Sequence, residues 1–228
     1  MKRPKREVWD GLPGYEYEAQ LIDLSSSTYR NINDISDYIR ANFLKELFTL
    51  RKSKIEQDPE RHSFAGDRWS RTNTFNASCS DPYIKNRVIS IKYTVHWYGA
   101  GAAHPNHGAS TFCFVMDPLF RIENFGEIFS YESGSLDTIK KLVIADLLER
   151  KADDGTSMLD EDWVRTGIED WNSFSSFIFK ENVIELYFPP YQIGPYAGGS
   201  FEVEVPYLAI KELMSREYQV ALGIEYIR

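Results

Sequence analysis

The sequence predicts an α+β fold of antiparallel sheets with helices packed on one face, in two intimately associated subdomains. Three observations carry this expectation. Apolar residues recur at spacings of three and four over Ile32 to Leu50 and over Leu136 to Leu148, the period of amphipathic helices. They alternate with polar residues over Val88 to Tyr98 and over Phe201 to Val205, the period of half-buried strands. The order of strand, helix, strands, helix, strands keeps the two periods in blocks, unlike the steady alternation of a doubly wound parallel sheet.

Along the chain, residues 1–14 carry turn formers without periodicity and read as a tail. Tyr15, Tyr17, Ala19 and Leu21 form one face of a first strand, which Ser25-Ser26-Ser27 ends. The first helix presents Ile32, Ile35, Ile39, Phe43, Leu47 and Leu50, with Asn31 placed to cap it and Asp34 at the positive end of its dipole. Lys52 to Gly66 is polar and long for an internal loop, so part of it is expected either to extend the helix or to be mobile. Strands are predicted over Trp69 to Ser80, Val88 to Tyr98 and Ser110 to Met116. A helix over Leu136 to Leu148 follows, and a short one opens near Asp160-Glu161-Asp162. Phe174 to Phe179 and Val183 to Phe188 flank Lys180-Glu181-Asn182 as a hairpin. Phe201 to Val205 is a further strand, Pro206 to Met214 a last short helix, and residues 215–228 an extension.

The 228 residues suffice for one large domain or two small packed ones. With 26 basic against 34 acidic side chains, the net charge of −8 repels phosphate backbones and attracts basic partners. Nucleic acid is therefore excluded as a partner, since its binders carry a basic stripe. Lys2, Arg3, Lys5 and Arg6, interrupted by Pro4, read as a solvated terminus. No stretch approaches the roughly 20 apolar residues of a membrane span. The basic start runs into Glu7, Trp9, Asp10, Gly11 and Pro13 instead of an apolar signal core, so the chain is either cytoplasmic or a mature form.

Two segments are too specialised for plain connections. Between two strands lies Tyr98-Gly99-Ala100-Gly101-Ala102-Ala103-His104-Pro105-Asn106-His107-Gly108, whose glycines permit positive φ and close backbone approach. After the hairpin comes Pro189-Pro190-Tyr191-Gln192-Ile193-Gly194-Pro195-Tyr196-Ala197-Gly198-Gly199, stiffened by prolines and offering two amphipathic rings. Both turns are read as rigid ends of one antiparallel sheet, built for contact and not for bond-breaking.

These residues, with the strand ending at Asp117, the Phe125-Gly126-Glu127-Ile128-Phe129 piece and the Glu202-Val203 strand, resemble a domain of RsiV-type anti-sigma factors. The peptidoglycan deacetylase PdaC carries the same domain in its carboxy-terminal part. The resemblance covers residues 87–214, and residues 15–86 resemble the small domain that precedes it. It implies a non-catalytic binding module of the cell envelope, extracytoplasmic, with no cofactor. In the anti-sigma members this region binds lysozyme, a basic protein that an acidic chain suits; peptidoglycan glycan is the other partner implied. The motif falls on Gly101, Ala103, His104, Pro105 and Asn106, and on Tyr191, Pro195, Tyr196, Ala197 and Gly198. The candidate binding edge is Tyr98, Gly101, His104, Asn106, His107, Tyr191, Pro195, Tyr196 and Gly198. Relatives carry Gly-Gly-Ala-His where this chain has Gly101-Ala102-Ala103-His104, which implies a reshaped loop if the second glycine is left-handed. No sigma-holding helix or membrane segment is read in these residues, so regulation by sigma release is not implied.

Chemistry-bearing readings compete with plainer ones. His104 and His107 offer two metal ligands, with His96 or Asp117 to complete a site, and this is the basis of the alternative, a metal-dependent envelope hydrolase or deacetylase or its accessory domain. Zinc sites want three or four ligands and His-x-x-His supplies two, so no metal ligand is assigned; the plain reading is that His104 braces its turn. The glycines of 99–104 lack the third glycine and following helix of a dinucleotide loop. No Gly-x-Ser-x-Gly elbow marks a serine nucleophile. Glu181 with Glu185, and Glu202 with Glu204, read as a solvated rim, so no catalytic residue is assigned. Cys79 and Cys113 form either a disulfide between neighbouring strands or two buried free thiols.

Overall fold

Strand and helix periods place the elements almost where the apolar residues ask for them. The computed structural model describes residues 5–8, 15–57, 73–99, 102–130, 134–151 and 155–225. The elements are β1 (Lys5–Val8), β2 (Tyr15–Leu21), α1 (Asn33–Gln57), β3 (Asn73–Cys79), β4 (Tyr83–Lys85), β5 (Val88–Tyr98), β6 (Asn106–Val115) and β7 (Phe120–Ile122). Then follow α2 (Ser135–Glu149), α3 (Glu161–Gly167), β8 (Phe177–Phe179), β9 (Val183–Phe188), β10 (Phe201–Pro206), α4 (Tyr207–Ile210) and α5 (Arg216–Leu222). The chain divides into two units, Met1–Ser80 with Tyr93–His107, and Asp81–Lys92 with Gly108–Arg228. Strands β5 and β6 thread both.

In the first unit β1 pairs with β2, β2 with β3, and β3 with β5. The β2–β3 pair is parallel, with Tyr17 beside Phe75. The expected α+β fold with antiparallel sheets is present, and this parallel pair within it follows from the 25-residue α1 between the two strands. Parallel neighbours need a crossover long enough to return to the same end of the sheet, which a helix supplies. Helix α1 turns Ile35, Ile39, Phe43 and Leu47 inward, all buried. They meet Tyr17, whose ring stacks on Phe75 at 4.3 Å, and Tyr93, whose ring stands edge-on to Phe43 at 4.9 Å. The other face of this sheet carries Glu16, Glu18, Asn76, Thr94 and His96, as alternation requires. Lys5–Val8 lies in the span read as a tail; its strand had no periodic signal. The segment 58–72, including the start of the strand expected from Trp69, lies outside the described residues.

The second unit carries a three-stranded antiparallel sheet in the order β10-β9-β8, together with β4, β7 and its own portions of β5 and β6. The expected hairpin is present, with Phe177 opposite Leu186 and Phe179 opposite Ile184. Phe201, Val203 and Val205 of β10, with Ile184, Leu186 and Phe188 of β9, face a core shared with Ile139, Val143 and Leu147 of α2. Rings of Phe125, Phe129, Trp171, Phe174 and Phe177 pack into the same core. Phe125–Ile128 form a 3-10 turn whose Asn124 and Glu127 make a reciprocal capping box. Among the described carboxy-terminal residues α5 buries Tyr218, Ala221 and Leu222 and ends at left-handed Gly223.

Candidate functional site

The Pro–Tyr segment joins β9 to β10 and is held by its neighbours in the second unit. Ile193 is buried and anchors its middle. The Gln192 side-chain amide donates to Gly167 O at 3.1 Å and to Ser173 O at 2.8 Å. Trp163 Nε1 donates to Tyr191 O at 3.4 Å. Gly167 at the end of α3 has no room for a side chain, since a Cβ there would lie 2.2 Å from Gln192 O. Beyond these anchors Pro195 O accepts from Gly198 N at 2.9 Å, and Gly199 takes φ +73°. Tyr191 is left-handed at φ 72°, a conformation costing about 1–2 kcal/mol for an L-residue with a Cβ. The residue is 52% exposed, and its ring pairs with that of the half-buried Tyr196 at 5.6 Å. A braced, strained loop thus presents paired aromatic rings to solvent, with exposed Trp163 beside it.

The Gly–His segment joins β5 to β6 and belongs to the first unit. Ala102 N donates to Gly99 O at 2.8 Å, and Tyr98 OH donates to Ala102 O at 3.0 Å. His104 Nδ1 lies 2.9 Å from Pro105 O, the bracing contact expected of it. Asn106 Oδ1 accepts from His107 N at 2.8 Å. Gly101 lies outside the described residues.

The shared-sheet expectation is corrected: the Gly–His turn ends strands of the larger sheet and the Pro–Tyr turn ends strands of the three-stranded sheet. Tyr98, His104, Asn106 and His107 stand together on one unit, and Tyr191, Pro195, Tyr196 and Gly198 on the other.

The carboxylates also differ from expectation. Glu202 and Glu204 are exposed, as a rim requires, but Glu185, opposite Glu204 on β9, is buried. Lys92 Nζ reaches Glu185 at 2.7 Å and Glu202 at 2.5 Å, while Lys180 bridges Glu185 and, at 3.3 Å, Glu204. Burial by itself would raise the Glu185 carboxyl, but hydrogen bonds from Lys180 and Lys92 hold it below the usual carboxylate range. Glu181 is a separate, exposed group that accepts from Tyr83 OH at 2.5 Å and Lys85 at 3.2 Å. With an ammonium group on each of its oxygens, the buried Glu185 carboxylate acts as a structural brace.

Both cysteines are free thiols. Cys113 is buried, with Sγ donating to Phe177 O at 3.3 Å, and burial pushes its pKa up to about 12, so it is a poor nucleophile. Cys79 is only half-buried, which corrects the reading of two buried thiols. Among the described residues no three His, Cys, Asp or Glu side chains gather as a metal cluster. Sequence reading missed Gln192 and Trp163 as supports of the Pro–Tyr loop. Their only signal was a glutamine inside a Pro- and Gly-rich loop and a tryptophan on a short acidic helix.

Residues 126–208 match the DUF3298 family, described as a protein of unknown function. The matched segment holds the three-stranded sheet, the Pro–Tyr loop and its braces. A crystal structure of a DUF3298 family member from Bacteroides fragilis superposes with a TM-score of 0.61 at 14% identity, covering 97% of this chain and 95% of that one. Another DUF3298 family protein, from Pseudomonas aeruginosa, gives a TM-score of 0.60 at 10% identity, with 94% of each chain covered. At such identities the likeness is one of fold, and the mixed α+β architecture is that of DUF3298 structures. No curated protein matches. Among the described residues no helix is long and apolar enough to cross a membrane.

Proposed function

We propose that this chain is a non-catalytic, extracytoplasmic binding module of the bacterial cell envelope. Its Pro–Tyr loop contacts a basic protein such as lysozyme, or a peptidoglycan glycan strand. The observation that carries this reading is Tyr191, a large aromatic residue left 52% exposed on a backbone held by Trp163 and Gln192. Backbone strain of this kind persists where the surroundings over-determine it, and clusters at ligand clamps. Rigid aromatic anchors bind with little loss of conformational entropy and dominate contact energies. The DUF3298 match includes this loop, and the resemblance to RsiV-type domains supplies the partner class. The net charge of −8 favours a basic partner and steers its encounter.

Retention on immobilised lysozyme and on insoluble peptidoglycan at low salt tests the proposal. The native chain is expected to be retained by one of them. Tyr191→Ala is expected to weaken binding by about 2 kcal/mol or more, the size of an anchor residue, with an unchanged circular dichroism spectrum. Retention on neither matrix refutes the reading.

A further inference from the structure

We propose that His96 and His107 form a two-imidazole site for a late first-row divalent metal ion such as Zn2+ or Cu2+. This inference concerns the first unit and does not depend on the binding role given to the Pro–Tyr loop. Sequence spacing pairs His107 with His104, but the fold gives it another neighbour. His96 near the end of β5 and His107 at the start of β6 lie on adjacent strands, and their ring centres are 6.2 Å apart with the planes tilted by 35°. His96 is exposed and His107 half-buried, so an ion reaches both from solvent.

The spacing fits chelation. With metal–nitrogen bonds of about 2.0–2.1 Å, an ion in the plane of each ring lies about 3.2 Å from its centre. Rings on a tetrahedral ion then stand about 5 Å apart, and opposed rings about 6.4 Å apart. The observed separation falls inside that window. Asn76 stands opposite His96 on β3, which puts an amide rather than a cation on the far side of the pair. Two imidazoles are one short of the three protein ligands of an open zinc site, so water or an oxygen of an incoming group fills the remaining positions. Imidazole suits Zn and Cu, and Cu2+ binds tightest among such ions.

The test is calorimetric titration of the full, chelator-stripped chain with ZnCl2 and CuCl2 in a non-coordinating buffer, with imidazole NMR signals followed during the copper titration. One ion per chain is expected, with copper tighter than zinc and the His96 and His107 signals broadened first. His96→Ala and His107→Ala are each expected to weaken binding at least about tenfold. His104→Ala is expected to leave the affinity within about twofold. The proposal is overturned if neither ion binds, if His96→Ala binds like the native chain, or if His104→Ala loses as much as His107→Ala.

Discussion

Removing the Glu185 carboxylate is the perturbation whose size the structure defines best. Its side chain is 5% exposed and accepts from Lys92, itself 16% exposed, and from Lys180, 36% exposed. Breaking a buried ion pair from one side costs about 3–5 kcal/mol, because the remaining charge stays desolvated. Two features move Glu185→Ala toward the low end. Lys92 keeps Glu202 as a partner, and Lys180 reaches solvent and keeps Glu204, so its share is discounted for screening. The expected loss is about 3 kcal/mol, which for a chain of this length lowers Tm by roughly 6–12 °C. Urea and thermal unfolding followed by circular dichroism measure it, with m compared to confirm that the unfolded reference is unchanged. The double variant Lys92→Met with Glu185→Leu should recover most of the loss, because replacing a buried pair by apolar side chains is often neutral or stabilising. A Glu185→Ala midpoint indistinguishable from the native one would refute the argument. So would a double variant whose loss is the plain sum of the single ones.

The same brace sets a pH dependence with a definite sign. Glu185 is depressed in the folded state, so its contribution is present above the ordinary carboxylate range and lost as pH falls through the depressed value. Lys92 is lowered by burial but raised further by its bonds to Glu185 and Glu202, and Lys180 is raised chiefly by Glu185. Their contribution is present below the ordinary lysine range and lost as pH rises through the raised values. Melting temperature against pH should therefore show both limbs, and Glu185→Gln should flatten the acid one. Gly167→Ala forces a Cβ onto Gln192 O, and a clash with backbone is expected to cost about 1–3 kcal/mol and to displace the Pro–Tyr loop; unfolding midpoints and lysozyme retention, measured together, check both effects. Iodoacetamide at pH 8 should modify half-buried Cys79 first and leave Cys113 unreacted until unfolding, because the buried thiol ionises only near 12; peptide mass mapping reads the order.

Much of the fold was legible because local periodicity reports which face of an element is buried. The spacing of Ile35, Ile39, Phe43 and Leu47 marked α1, and Val203 and Val205 between glutamates marked β10. The short strands β4 and β7 escaped notice, since three residues hold too little alternation to stand out. Of the candidate site, the Pro–Tyr loop was readable from its prolines, glycines and tyrosines. Its braces were not, because Gln192 and Trp163 act through partners distant in sequence.

Sequence by itself determined the elements, their buried faces and the acidic charge, all properties of residues near one another along the chain. Only the tertiary structure decided which strands are neighbours, and with that the parallel β2–β3 pair, the burial of Glu185 between lysines and the pairing of His107 with His96. The physical reason is that alternation fixes a side chain's direction, whereas its partner is chosen by long-range packing that no local pattern encodes.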